Sequence, residues 1–415
     1  RVGLMLAVVF ALGFGWFAVR WQIGNLLAEF TSATQPNAPT VAEIAVSLAP
    51  GDPMANWFRA GAARGVFAAA TEKQNDALEK YEQVTRLAPN DYRWWVELGR
   101  ARERADDAAG AEAAFLRAVE LAPAYTFPQW QLGNFYLRQG ENEKALAALR
   151  KSAASNSVYR QQVYSTLWDY FDRDVRLLEQ IAGDSPQMRA DLALFFASKE
   201  QAPESLRVWN TLAANEKSRH ASVAKVIAQA LFEKKYFRSA VGFAREIGIE
   251  TGAEPERIQN GGFESEISLD GAYFNWKILS VEKVDARPDR TQKRDGSRSL
   301  RLAFNGFTGA QYNQTYQVVA VEPNAKYRLS FWYRAENLRS AGNPLIEIVN
   351  ANDDKLIKAS EAFPSGTNDW RQVSLEFAAP PSAEGVVVRV ARAQCGAQCP
   401  IFGTIWLDDF QLDKL

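Results

Sequence analysis

Hydrophobic residues follow three successive patterns along the chain. Residues 2–19 contain no charged side chain, and residues 41–250 carry apolar side chains at helical spacing. Beyond residue 257 apolar and polar residues alternate, as in strands whose two faces differ. The patterns predict a multidomain protein of the α plus all-β class, with an apolar N-terminal helix, a helical region and a β-domain.

The uncharged run at residues 2–19 is long enough to cross a membrane, which takes about 20 apolar residues, with about 17 to 25 observed. Trp16 and Trp21 suit the membrane–water interface. A signal peptide usually has a shorter apolar core and a small-x-small cleavage site, and no Ala-x-Ala sequence follows this run. We expect an uncleaved transmembrane anchor at residues 1–30 that packs against other transmembrane helices. A signal peptide is the alternative.

Two polar stretches mark the domain boundaries. Residues 31–40 (TSATQPNAPT) are small, polar and contain proline, as is typical of a linker. Residues 250–256 (ETGAEPE) separate the helical spacing from the alternating pattern. The sequence therefore predicts a helical region at 41–250 and a β-domain at 257–415, within the two or three domains expected for this length.

The clearest helical element is residues 92–123, which the spacing predicts to be two helices joined by a tight turn. Small residues let the two helices approach, and large residues fill the space between them. The small positions are Gly99, Ala111 and Ala118, the large ones are Trp95 and Phe115, and Pro123 ends the second helix.

This order of residues resembles the tetratricopeptide repeat, which recurs about every 34 residues. Two neighbouring segments match in register, one ending at Pro89 and the other containing Leu132 and Gly133. Three less regular helical pairs follow. The resemblance implies an α-solenoid that binds a protein partner. A spacer that positions another domain is the alternative.

In the β-domain, residues 327–334, 373–377 and 386–391 alternate in polarity between loops rich in proline and glycine. No helical segment intervenes, so a β-sandwich is predicted. Four landmarks occur in order: NGGFE at 260–264, Trp276, GSRSLRL at 296–302 and LDDF at 407–410.

These landmarks resemble the jelly-roll carbohydrate-binding modules attached to bacterial xylanases and glucanases, over residues 258–412. The resemblance implies a jelly roll that binds a glycan, although related sandwiches also serve as structural domains. Aromatic rings stack on sugars, and Trp332 is the best candidate because the alternation places it away from the core, beside Arg328 and Arg334. An arginine-lined face favours an anionic glycan. Weaker candidates are Tyr312, Gln314 and Tyr273. Alternatively, these rings pack against the solenoid or a partner.

The same resemblance implies a structural calcium between the opening and closing strands. The matching residues are Glu264 and Asp409, with Asp408 in reserve. Two carboxylates and backbone carbonyls would suit calcium, which takes six to eight oxygens. An acidic pair without a metal is the alternative.

The two cysteines, Cys395 and Cys399, predict a disulfide that closes a short loop outside the cytoplasm. Two cysteines cannot build a four-thiolate zinc site, and the single histidine, His220, is distant in sequence. We expect His220 to be a surface or capping residue.

The sequence contains no nucleophile elbow, phosphate-binding glycine loop or metal-binding histidine pair. With 49 acidic residues, the composition does not exclude the two carboxylates of a glycosidase. However, neither of the two families that the chain resembles is catalytic, so no enzyme activity is predicted. A net charge of −1 argues against nucleic acid binding. The basic run at 287–301 is interpreted as a solvated loop.

Together these features predict a non-catalytic, single-pass protein of the bacterial inner membrane with its bulk in the periplasm. Its helical repeats would bind a protein and its jelly roll a glycan or a second protein. Analogy of architecture suggests exopolysaccharide assembly or export. The alternative is a structural subunit of another inner-membrane complex whose jelly roll makes protein contacts only.

Overall fold

The computed structural model describes residues 2–64, 71–267, 272–395 and 399–415. In these residues helices precede strands along the whole chain. The chain divides into two compact units, Arg1–Gly183 and Asp184–Leu415.

The first unit is helical. Its helices are α1 Val2–Phe30, α2 Ala38–Leu48, α3 Pro53–Arg64, α4 Thr71–Leu87, α5 Tyr92–Arg104, α6 Ala108–Leu121, α7 Thr126–Arg138, α8 Asn142–Ser155, α9 Ser157–Tyr170 and α10 Val175–Ala182. The side chains of Asp91 and Asp107 accept hydrogen bonds from the first turns of α5 and α6, which fixes where these helices begin.

Glycines determine how closely the repeat helices pack. A Cβ on Gly99 of α5 would lie 2.9 Å from the Phe115 ring of α6. A Cβ on Gly133 of α7 would lie 2.6 Å from Cγ of Leu149 of α8. Only glycine allows these helices to approach so closely, which explains the glycine followed by a large residue in the repeat pattern.

Helix α1 has two different parts. Residues 2–19 are exposed, and the helix is long and apolar enough to cross a membrane, a property that a signal sequence shares. Gly24 and Ala28 are buried, and a Cβ on Gly24 would lie 2.7 Å from the carbonyl oxygen of Ala45 in α2. The helix therefore runs without a break from its exposed part into the packing of the first helices.

The second unit begins with the remaining helices. They are α11 Pro186–Ser198, α12 Ala202–Trp209, α13 Ala214–Arg219, α14 Ala221–Glu233 and α15 Phe237–Glu246. The short α13 was not indicated by the apolar spacing. His220 is the N-cap residue of α14, but its side chain makes no capping hydrogen bond.

Glu250 connects these helices to the β-domain. It is 8% exposed, and its carboxylate accepts hydrogen bonds from the backbone N–H groups of Tyr273, Phe274 and Asn275 at 2.8, 2.9 and 3.1 Å. The ring of Phe232 in α14 lies 5.2 Å from that of Tyr273 and 5.4 Å from that of Phe274, centre to centre. Polar and apolar contacts thus hold α14 and the loop after α15 against the first residues of the β-domain.

The β-domain is a sandwich of two five-stranded antiparallel sheets. Sheet A has the order β1-β4-β9-β6-β7, and sheet B has the order β2-β3-β10-β5-β8. The strands are β1 Lys277–Ile278, β2 Val284–Asp289, β3 Ser299–Phe307, β4 Thr315–Ala320, β5 Lys326–Arg339, β6 Pro344–Asn350, β7 Leu356–Ala359, β8 Gly366–Ala378, β9 Gly385–Arg392 and β10 Ile401–Lys414.

The core lies between the two sheets. Leu329 and Phe331 of β5 face it from sheet B, and Val388 and Val390 of β9 face it from sheet A. Phe331 stacks on Phe410 with ring centres 4.9 Å apart. The predicted fold class, an α-solenoid followed by a β-sandwich, is confirmed.

Candidate functional site

A groove of about 660 Å³ lies at one end of the outer face of sheet A, and we call it the sheet-A groove. Loop residues 310–313 and 393–395 form its walls, and Leu345, Glu347 and Arg389 of the sheet contribute to its floor. These strand residues alternate with the core-facing ones, so the sheet's own pleat directs them into the groove.

Arg389 is the central charged residue of the sheet-A groove. It lies between Tyr316 and Glu347 in the cross-strand register. Its Nε donates to Glu347 at 2.9 Å, and its Nη1 donates to Asp354 at 2.8 Å. Burial by itself lowers the Arg389 pKa, but the hydrogen bonds that Arg389 donates to Asp354 and Glu347 outweigh burial and raise the pKa above its ordinary value. Arg389 is therefore a fully neutralised cation.

Arg392 also lines the sheet-A groove, but its guanidinium contacts neutral groups, including the Phe307 ring, whose centre lies 5.9 Å away. It is 6% exposed, and its guanidinium donates to the carbonyl oxygens of Gly309 and Cys399 and to the sulfur of Cys395. Among the described residues it has no carboxylate partner, and its Nε has no hydrogen-bond acceptor. Burial lowers the pKa of Arg392. The predicted Cys395–Cys399 disulfide is confirmed and closes the loop beside this residue.

Three predicted glycan-binding residues lie on the outer face of the other sheet, sheet B. Arg328 pairs with Glu376 at 2.7 Å, and Arg334 pairs with Asp369 at 2.9 Å. Trp332 is half-buried because the guanidinium of Arg294, from the loop before β3, lies 4.4 Å from its ring centre. Most residues of the loop at 290–298 in this basic run are exposed, and its Arg294 covers part of the sheet.

The other three predicted residues lie elsewhere. Tyr312 borders the sheet-A groove, yet its ring is 2% exposed, packs on Phe304 and Phe307, and bonds Thr315 through its hydroxyl. Gln314 accepts a hydrogen bond from the backbone of Asn313. Tyr273 packs on α14 and borders a separate cavity of about 700 Å³ near Glu250. The six candidates therefore do not form one site.

The acidic residues implied by the resemblance lie near one loop. Asp408, 1% exposed, accepts hydrogen bonds from the N–H groups of Arg294 and Asp295, and burial raises its pKa. Glu264 accepts from the backbone and hydroxyl of Ser297, which lower its pKa. Asp409 instead accepts from the Gln411 side chain at 2.7 Å.

The donor types in this region fit calcium, since two carboxylates and backbone carbonyls are its usual ligands. Glu264 and Asp408 would hold the ion, because the loop at 294–297 donates hydrogen bonds to both carboxylates, whereas Asp409 is turned toward Gln411. Among residues 2–64, 71–267, 272–395 and 399–415, no group of three or more His, Cys, Asp or Glu side chains converges as a metal site. Calcium binding stays a prediction.

Residues 256–394 match the protein family described as a carbohydrate binding domain. The β-sandwich is a carbohydrate-binding-like domain. The N-terminal part carries the tetratricopeptide-like helical pairs that the sequence predicted, so the chain combines helical repeats with this sandwich.

Similarity to individual proteins is partial. The yeast Superkiller protein 3, from Saccharomyces cerevisiae, is 30% identical over 128 residues, 29% of this chain. This chain spans only 9% of the length of that protein.

Several solved structures are similar to a portion of the chain. The structure described as "CBM4 structure and function" is 20% identical, covers 38% of this chain and 99% of its own, with a TM-score of 0.29. TmCBM61 in complex with β-1,4-galactotriose is 15% identical, covers 39% of this chain and 100% of its own, with a TM-score of 0.27. MamA protein is 16% identical, covers 50% of this chain and 94% of its own, with a TM-score of 0.28.

The sequence did not single out the charged residues of the groove in the carbohydrate-binding-like domain. Arg389 could have been found, because it alternates with Val388 and Val390 in a strand that the sequence did predict. Arg392 could not, because it has the core-facing parity of Val388 and Val390 and would be expected to be apolar.

A second groove, of about 510 Å³, lies on the helical repeats between α5 and α7. Arg100, Glu103, Trp130, Asn134 and Arg138 contribute to it. Arg138 forms a bidentate pair with Glu103 at 2.6 and 2.8 Å, while the indole N–H of Trp130 is buried without an acceptor among the described residues. The groove therefore offers a ring and amide groups, while the unbonded indole N–H is closed to solvent.

Proposed function

We propose that this protein is a membrane-anchored, non-catalytic scaffold whose helical repeats hold a protein partner and whose carbohydrate-binding-like domain holds a glycan. The observation that carries the proposal is the sheet-A groove, with its polar and charged lining, in a domain that matches a carbohydrate-binding family. Its size lies within the roughly 300–1,000 Å³ of ligand sites.

The groove favours recognition by hydrogen bonds. Gln311, Asn313 and Gln394 place exposed side-chain amides along its walls, and Arg389 and Glu347 are charged groups on its floor. Amide and charged groups can bond the hydroxyls of a sugar. Tyr316, which is half-exposed and pairs with Arg389 in the strand register, places a ring on the same face of the sheet.

The groove on the helical repeats is the proposed site for the protein partner. The ring of Trp130 and the amide groups in this groove support this assignment, because amides can donate hydrogen bonds to a partner and accept them from it.

We place the protein in the bacterial inner membrane, with the repeats and the β-sandwich in the periplasm, in exopolysaccharide assembly or export. The apolar helix α1 and the Cys395–Cys399 disulfide, which suits an oxidising compartment, support this location. The exposed residues 2–19 would pack against other transmembrane helices.

The test is a glycan-binding screen of the full chain in mild detergent, beside Arg389→Ala and Trp332→Ala variants. We expect a glycan ligand whose affinity falls at least tenfold in Arg389→Ala and less than threefold in Trp332→Ala. The reverse ranking would move the site to sheet B. A folded protein that binds no glycan would overturn the glycan part of the proposal.

A structural subunit that makes protein contacts only is the second candidate. The observation in its favour is that two of the aromatic candidates are already covered, Tyr273 by Phe232 and Trp332 by Arg294. A negative glycan screen, with a stoichiometric membrane-protein partner retained on the purified chain, would favour this candidate.

A further inference from the structure

Arg392 is a buried cation without a buried anion. Charged side chains are almost never fully buried unless they are paired, because removal of the charge from water is costly. Arg389, in the same groove, is paired with Glu347 and Asp354. Arg392 has only neutral acceptors, namely two carbonyl oxygens and a disulfide sulfur.

The position of Arg392 makes this lack of an anion relevant to binding. It lines the sheet-A groove, and its Nε has no acceptor among the described residues. The charged groove residues are two arginines and one glutamate, and the glutamate bonds Arg389. Asp354 also bonds Arg389, so these four groups carry no net charge, and Arg392 is the one of the two arginines without a described carboxylate partner.

We propose that the sheet-A groove takes an acidic sugar, and that the carboxylate of a hexuronate unit pairs with Arg392. A carboxylate is the anion that matches a guanidinium in geometry, and in a partly desolvated groove the pair is stronger than in water. The amides of Gln311, Asn313 and Gln394 are then available for the sugar hydroxyls. This inference rests on the proposed glycan-binding function and specifies its substrate class.

Arg392 also has a structural role, because it ties the loop at Gly309 to the loop closed by the disulfide. A loss of binding on substitution could therefore come from a disturbed groove. The decisive comparison changes the ligand and leaves the protein intact.

The experiment measures the affinity of the full chain, in detergent, for hexagalacturonate and for the same oligomer with its carboxyl groups reduced to alcohols. We expect the acidic form to bind at least tenfold more tightly, which corresponds to about 1.4 kcal/mol. Equal affinities would overturn the inference and leave the glycan-binding function intact. If neither oligomer nor any other glycan binds, the proposed function itself fails, and the inference with it.

Dextran sulfate serves as a general polyanion. If it binds as tightly as the uronate, the preference is non-specific attraction to charge, and the inference is wrong. We expect it to bind at least tenfold more weakly.

Two variants complete the test. Arg392→Gln should abolish the difference between the two oligomers, and Arg392→Lys should retain part of it, since the charge remains. Arg389→Gln is the matched control, because that arginine is already neutralised, and it should weaken both oligomers by a similar factor. A full acid preference in a folded Arg392→Gln protein would contradict the assignment.

Discussion

The guanidinium of Arg294 lies over the ring of Trp332, 4.4 Å from its centre. Tryptophan gives the strongest attraction to a cation among the aromatic residues, worth about 0.5–1 kcal/mol at exposed sites. The ring that the sequence singles out for sugar stacking is thus already used to hold the loop before β3.

This contact predicts energetic coupling between the two residues. In a double-mutant cycle, Arg294→Ala should reduce the free energy of unfolding by about 0.5–1 kcal/mol more in the wild type than in Trp332→Ala. Chemical denaturation measures the four proteins. The backbone N–H of Arg294 that bonds Asp408 is retained in the alanine variant, so it does not disturb the cycle. Additive effects would show that the contact does not contribute.

Close packing at Gly99 predicts a large cost for one methyl group. Gly99→Ala would place its Cβ 2.9 Å from the Phe115 ring, and such overpacking costs about 1–3 kcal/mol. Thermal unfolding followed by circular dichroism should show a lower midpoint. The matched control is Gly242→Ala in helix α15, where a Cβ meets no atom within 4 Å. That variant should be neutral or more stable, because alanine favours a helix over glycine. Equal effects at both positions would contradict the packing argument.

The hydrogen bond between Tyr136 and Glu112 predicts a pH-dependent contribution to stability. The Tyr136 hydroxyl donates to Glu112 at 2.7 Å and is the main cause that lowers the pKa of that carboxyl, with a smaller contribution from Lys144. Because the folded pKa is below the unfolded one, the stabilisation is present above the ordinary carboxyl pKa and is lost as pH falls through the folded pKa.

Tyr136→Phe should therefore cost about 1 kcal/mol at pH 7 and less at pH 3. Urea unfolding at both pH values measures the difference. Tyr170→Phe is the control, because its hydroxyl bonds the neutral carbonyl oxygen of Leu137 and its effect should not change with pH. A Tyr136→Phe cost that is the same at both pH values would show that Glu112 is not the source.

Calcium should raise the melting temperature of the β-sandwich. At a concentration of 100 times Kd, a ligand of the folded state adds about 2.7 kcal/mol. Asp408→Asn should abolish the effect and Asp409→Asn should retain it, since only Asp408 lies at the loop that also bonds Glu264. Calorimetry with calcium and with a chelator measures the shift. The same melting temperature in both would support an acidic pair without a metal.

The sequence predicted the elements of the fold because their patterns are local. Helices α5 and α6 lie within residues 92–123, where the spacing predicts two helices, and β5 alternates as a strand with one buried face should. The contact between Gly99 and Phe115 was also predictable, because the phenylalanine ring needs a residue without a side chain opposite it.

The site was less predictable because it depends on relations between distant segments. Nothing near Trp332 in sequence indicates that Arg294 covers it. The sequence also could not show which of Asp408 and Asp409 faces the loop before β3. A bulge between Asp408 and Gln411 shifts the strand register, and Asp409 adopts a positive φ of 51°. Arg392 sits at a position where the alternation calls for an apolar residue, and only its partners show why it is charged.

The hydrogen bonds of the Glu250 carboxylate determine where the protein can be truncated without loss of structure in the β-domain. A fragment that starts at residue 257 would lack the acceptor for three backbone N–H groups and would expose Phe274, which is 3% exposed in the intact chain. The smallest autonomous piece that contains the sandwich therefore starts upstream of α14, so that Phe232 and Glu250 are both retained. The sandwich and the helices that precede it should therefore be expressed together as one fragment.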